Sequence, residues 1–119
     1  MAGRVLIVDD DFDIREALGL ILRDEGYVVD AAANGQDALD HLSRSAHPSV
    51  ILLDLMMPVM NGIQFRNLQR LDDRICAIPV IIISADSSVR DKAAAMGVGY
   101  LKKPLQLPHL LEELARLCG

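Results

Sequence analysis

Carboxylates dominate the groups in this chain that could do chemistry, and they are placed unevenly. Asp9, Asp10 and Asp11 follow one another in "VLIVDDDFD", and Asp54 closes the apolar run "VILLD" just before "LMMPVMNG". Ser84 ends another apolar run, "PVIIIS", while Lys102 and Lys103 precede Pro104 in "YLKKP". Acids, a hydroxyl and an amine are the parts needed to hold a hard cation and to move a phosphoryl group onto oxygen. Two unit charges about 4 Å apart repel by roughly 4 kcal/mol at an effective dielectric of about 20, so Asp9, Asp10 and Asp54 in one crevice call for a cation. Mg2+ suits them, because it takes oxygen ligands from one or two carboxylates, keeps several waters and shares its shell with phosphate. Asp54 would attack a phosphoryl group in line, Lys103 and the metal would neutralise its equatorial oxygens, and Ser84 would donate a hydrogen bond to one of them. Met56 would turn its backbone carbonyl toward the metal, and Pro58 with Asn61-Gly62 would shape the loop that closes the site. Each piece alone has a plainer reading: Asp11 and Asp13 as acids favoured at a helix N-terminus, Ser84 as a strand end, Lys103 as a surface lysine.

These residues meet only if four separate segments end at one edge of the molecule. "RVLIVD" (4 to 9), "VILLD" (50 to 54) and "PVIIIS" (79 to 84) are continuous apolar runs rich in β-branched residues, as expected of parallel strands covered on both faces. "YVVDAA" (27 to 32) and "GYLK" (99 to 102) read as weaker strands nearer the edges. Between the strands, Ile14, Ala17, Leu18, Ile21 and Leu22 make one helical face that should end at Gly26, and Ala38, Leu39 and Leu42 make a second. Phe65 and Leu68 mark a third helix less clearly, "SSVRDKAAAMG" a fourth ending near Gly97, and Leu107, Leu110, Leu111, Leu114 and Leu117 a fifth with Pro108 in its first turn. Strand and helix alternate five times with short connections, so the expected class is a doubly wound α/β fold with a parallel sheet and five helices. In such sheets the functional crevice lies beyond the carboxyl ends of the strands, where all the residues above are placed.

Composition narrows the function classes. With 119 residues, half of them apolar, residues 1–119 are expected to fold as one domain, and no apolar run approaches the roughly 18 residues that span a bilayer. The N-terminus lacks a signal-type segment, so a cytoplasmic location without membrane attachment is the expectation. Cys76 and Cys118 lie far apart with no CxxC pairing, and His41, His47 and His109 share no metal-ligand spacing, so both sets are read as bystanders. A net charge of −5 without a basic block argues against direct nucleic-acid binding.

Four motifs in order, "VLIVDDD", "LLDLMMPVMNG", "IIISA" and "YLKKP", give the chain along its whole length a resemblance to the receiver domain of two-component response regulators. The resemblance implies a flavodoxin-like sheet in the order 2-1-3-4-5. It implies that Asp54 accepts phosphate from a phosphohistidine on a sensor histidine kinase or histidine phosphotransfer protein. It further implies that Asp10, Asp54 and the Met56 carbonyl bind Mg2+ directly, that Asp9 helps through water, and that Ser84 and Lys103 contact the phosphoryl group. Tyr100 takes the aromatic switch position beside Ser84, the Lys103-Pro104 bond is expected to be cis, and the surface around 88–117 is expected to meet a downstream protein or domain.

The chain departs from the commonest family pattern at Ser84, where threonine is frequent, at apolar Met56 and at acidic Asp86, so typical reaction rates are not implied. "LQLPHLLEEL" also opens the fifth helix without a side-chain cap at Leu107. The chief alternative is a haloacid-dehalogenase-type aspartate phosphatase, which needs a second acid two residues after the nucleophile, where this chain has Met56. A receiver with a dead site would lack some of the five polar positions, and a flavodoxin-like cofactor binder would not carry "DDDFD" where phosphate must sit. The chain ends just after the fifth helix, so it is expected to be either a whole single-domain regulator or the receiver of a longer protein.

Overall fold

The computed structural model describes residues 3–44, 46–55 and 60–118. Strands and helices alternate: β1 (Arg4–Val8), α1 (Phe12–Asp24), β2 (Val28–Ala32), α2 (Gly35–Arg44), β3 (Val50–Asp54), α3 (Gly62–Leu71), β4 (Val80–Ser84), α4 (Val89–Met96), β5 (Gly99–Lys102) and α5 (Leu107–Cys118). The strands form one parallel sheet in the order β2-β1-β3-β4-β5. β3 and β4 are buried along their full length, which is why they read as unbroken apolar runs, whereas the edge strands β2 and β5 are partly exposed.

Side chains alternate across the sheet and build two cores. Leu6, Val8, Ile51, Leu53 and Ile82 pack with Ala38, Leu42, Phe65, Val89 and Met96 from α2, α3 and α4. Val5, Ile7, Leu52, Ile81 and Ile83 pack on the other face with Leu18 and Leu22 from α1 and Leu110 and Leu114 from α5. Among the described residues no helix is long and apolar enough to cross a membrane.

Local chemistry sets the helix ends. Asp11 caps α1 by accepting from the amides of Asp13 and Ile14, and Gly26 leaves the helix at φ 98°. Asn61 and Gln64 form a reciprocal capping box at the start of α3, and α4 closes at Gly97 with φ 69°. At α5, without a side-chain cap on Leu107, the Gln106 carbonyl receives the amides of His109 and Leu110.

Three helical faces differ from the sequence expectation, α5 by leaving Leu107 in its first turn exposed while Leu110 and Leu114 are buried. Ala17 is exposed, because the α1 stripe that meets the sheet is centred on Leu18 and Leu22. Leu68 is exposed too, because α3 buries Gly62, Phe65 and Gln69. Gln69 is buried because each of its polar ends finds a partner: its amide nitrogen donates to the carbonyls of Ile75 (2.9 Å) and Ile78 (3.0 Å), and its oxygen accepts from Arg66 Nη1 (2.8 Å).

Candidate functional site

Register brings the acids together. Val8 pairs with Leu53, so Asp9, one step beyond β1, stands level with Asp54 at the end of β3. One carboxylate oxygen from each of Asp9, Asp10 and Asp54 lies within 4.8 Å of the others. Asp9 and Asp54 are only 5% and 8% exposed, while Asp10 lies at the open side. Such crowding is costly for unscreened charge, so the donor set, all hard oxygen and open on one side, fits a small divalent cation.

Asp9 is held on three sides. Its Oδ1 accepts from the Asp11 amide at 2.9 Å, its Oδ2 lies 3.7 Å from Lys103 Nζ, and its backbone carbonyl accepts from Arg15 Nη1 at 2.6 Å. Arg15 also stacks over the Phe12 ring at 5.6 Å. Asp9 thus has one oxygen committed to an amide and the other facing a lysine.

Ser84 and Lys103 arrive from the neighbouring strands. Ser84 pairs with Lys102 in the β4–β5 ladder, the Lys103 amide donates to the Ser84 carbonyl at 2.9 Å, and the Lys103-Pro104 peptide bond is cis. The Ser84 side chain is 4% exposed, and its Oγ accepts from the Asp86 amide at 3.1 Å. Asp86 is fixed in turn by Lys92 Nζ (2.5 Å) and by the amide and hydroxyl of Ser88 (2.8 Å each). Those bonds, the one from Lys92 first, hold its carboxyl below the usual carboxylate range.

The start of α3 comes back against the end of β3. The Gly62 amide donates to the Leu55 carbonyl at 3.0 Å, and a Cβ at Gly62 would lie 2.9 Å from the Asp54 carbonyl oxygen and 3.0 Å from Leu55 Cα. The first turn of α3 therefore presses against the backbone that carries Asp54. Met60, at the end of the same connection, accepts from the Gly35 amide at 3.2 Å, which ties it to α2. Met56 and Pro58 lie outside the described residues.

Tyr100 sits on edge strand β5, 41% exposed, paired with Ile82 two steps before the Ser84–Lys102 pair. Cys76 and Cys118 are free. His47 and His109 are exposed, whereas His41 is partly buried on α2 with Nε2 3.4 Å from Asp30 Oδ2, a carboxylate that also pairs with Arg4 at 2.9 Å. Sequence reasoning missed three features: the Arg15 bond to the Asp9 carbonyl, the Asp86–Lys92 pair and the Gln69 network. Only the second left a readable signal, since Asp86 two residues before Ser88 is a turn-forming spacing at the start of a helical pattern.

The model of the response regulator receiver domain matches residues 5–115. Response regulator MprA of Mycolicibacterium vanbaalenii is 37% identical over 121 residues, which cover 98% of this chain and 51% of that protein. The alkaline phosphatase synthesis transcriptional regulatory protein SphR of Synechococcus elongatus is 34% identical over 114 residues, or 87% of this chain and 44% of that protein. The chain thus spans about half the length of these relatives. Among solved structures, the chemotaxis response regulator CheY4 of Vibrio cholerae superposes with a TM-score of 0.87 at 34% identity, covering 98% of this chain and 99% of that one. A response regulator receiver protein from Pseudomonas putida gives a TM-score of 0.87 at 30% identity, over 98% and 97% of the two chains.

Proposed function

This chain belongs to the response regulator receiver domain family, the phosphoacceptors of two-component signalling, and from that premise we propose that Asp54 is the acceptor and that residues 1–119 act as one receiver unit. The observation that carries the assignment is the meeting of Asp54 with Asp9 and Asp10 at one strand edge, with Lys103 on Asp9 beside them.

Asp10, Asp54 and the Met56 carbonyl are the groups that would hold Mg2+, with Asp9 acting through water. When bound, the ion neutralises the clustered carboxylates and the phosphoryl oxygens. An Asp54 oxygen attacks phosphorus in line, the bond from phosphorus to the donor's imidazole nitrogen breaks, and its electron pair stays on that nitrogen, which takes a proton from solvent. Lys103 swings from Asp9 toward a phosphoryl oxygen and Ser84 donates its hydroxyl to another. Discharge reverses the charge flow: water attacks phosphorus, the bond to the Asp54 oxygen breaks, and the carboxylate returns as the water releases a proton. The domain thereby assists its own phosphorylation and dephosphorylation.

The donor is a phosphohistidine on a sensor histidine kinase or histidine phosphotransfer protein. The signal leaves through the surface around residues 88–117, where half-exposed Tyr100 follows Ser84 between two states and meets a downstream protein or domain. Full reversal of a 1:99 population would need about 5.5 kcal/mol of differential interaction, so phosphorylation is expected to shift the balance incompletely. The net charge of −5 favours protein partners over nucleic acid, and the site works in the cytoplasm.

Backbone amide spectra with Mg2+ and beryllofluoride, a phosphoryl mimic, test this assignment. Shifts are expected in the acidic pocket and across residues 88–117, lost in Asp54→Asn and reduced over 88–117 in Ser84→Ala. Shifts confined to the pocket, or unchanged in Ser84→Ala, would refute the coupling.

A further inference from the structure

Ser84 is one of two side chains proposed to touch the phosphoryl group, and its hydroxyl is not left to rotate freely. One lone pair of Oγ is engaged by the Asp86 amide at 3.1 Å, which leaves the O–H to donate elsewhere. With one of its two lone pairs occupied, the hydroxyl has fewer directions left for its proton, which favours donation away from the Asp86 amide. That orientation depends on where the Asp86 amide sits, in a connection between β4 and α4 only four residues long. Three bonds to the Asp86 carboxylate fix it. Two come from its neighbour Ser88, and the third, from Lys92, reaches back from the second turn of α4.

We propose that Lys92 is a positioning residue for phosphoryl transfer, acting through Asp86 to hold the Ser84 hydroxyl as a hydrogen-bond donor toward the phosphoryl group on Asp54. The proposal rests on the function assigned to Asp54 and Ser84 above. In this role Lys92 acts at a distance from the reacting atoms: it fixes the amide that fixes the hydroxyl. A pure charge role is also chemically available, since an unpaired Asp86 would repel an anionic donor, but that effect would not pass through Ser84. Both side chains of the pair remain partly exposed, with 38% and 29% accessibility, so the contribution is modest and should weaken in salt.

A double-mutant cycle on the rate of Asp54 labelling by a small acyl phosphate with Mg2+ separates the cases. Lys92→Ala is expected to slow labelling roughly two- to fivefold, the range set by an exposed ion pair. Lys92→Arg should retain most of the rate, and the melting temperature should hardly change. In a Ser84→Ala background the further change from Lys92→Ala should vanish. About 1 M salt should slow the wild type toward Lys92→Ala and leave Lys92→Ala less affected. If Lys92→Ala labels at the wild-type rate, or slows Ser84→Ala by the same factor as it slows wild type, the proposal is wrong while the Asp54 and Ser84 assignments stand. If Ser84→Ala itself labels normally, the role assigned to Ser84 is wrong and this inference falls with it.

Discussion

A β-carbon on Gly62 would stand 2.9 Å from the carbonyl oxygen of Asp54. The first residue of α3 and the proposed phosphoacceptor are thus in backbone contact, and the atoms opposing any added side chain belong to the main chain, which cannot rotate away. Gly62→Ala should therefore displace the end of β3 or the start of α3. We expect a loss of about 1–3 kcal/mol, typical of overpacking a tight site, read as a lower denaturant midpoint at unchanged slope. Labelling of Asp54 should fall as well. Unchanged stability would mean that the contact relaxes without cost.

Much of this architecture was legible in the sequence, for a physical reason. β1, β3 and β4 are covered on both faces, so each had to be a continuous apolar run, and the polar residue that ends or follows each run marks the crevice. The edge strands were legible more weakly because one side of each meets solvent. What could not be read were polar groups whose meaning depends on a distant partner. Gln69 looks like an ordinary surface residue until the α3–β4 connection folds over it and presents two carbonyls. Lys92 looks like a solvated helix lysine until the start of α4 brings it to Asp86. An apolar residue beside Phe65 is the natural choice for the core face, yet α3 buries Gln69 and leaves Leu68 exposed.

That network has its own consequence. Gln69→Leu keeps the size of the side chain and removes the donors to the Ile75 and Ile78 carbonyls and the acceptor for Arg66. Leaving such groups unpaired in a buried place should lower stability by about 2–3 kcal/mol. Asp54 labelling below the transition should stay near the wild-type rate, since none of these groups reaches the acidic edge. Equal stability in chemical denaturation would show that water replaces the amide.

The acidic cluster predicts a stability gain from a damaging substitution. Asp10→Asn removes one of three carboxylates gathered within 4.8 Å, so in the absence of divalent metal the variant should melt higher, by roughly 2–5 °C. Added Mg2+ should raise the wild-type melting temperature and raise that of the variant much less. A variant that melts lower without metal, and responds to Mg2+ as the wild type does, would place the ion elsewhere.

Acid should act on the Asp86–Lys92 pair in a defined direction. The folded state holds the Asp86 carboxyl below its ordinary value, through Lys92 first and then Ser88, so at low pH the unfolded chain binds the proton more readily. The stabilisation is therefore fully present above the ordinary carboxylate pKa of about 3.9 and is lost as pH falls below it. The melting-temperature deficit of Asp86→Asn relative to wild type should be constant from neutral pH down to about pH 5 and shrink below about pH 4. A deficit that grows in acid would reverse the assigned sign.

The central claim is that Asp54 receives the phosphoryl group, and covalent labelling tests it most directly. Wild-type protein incubated with Mg2+ and a small acyl-phosphate donor should gain a single phosphate in the intact mass, stable to acid and lost in base. Asp54→Asn should gain none, and Asp10→Ala should lose most of the label. Labelling of Asp54→Asn to the wild-type level would contradict the account.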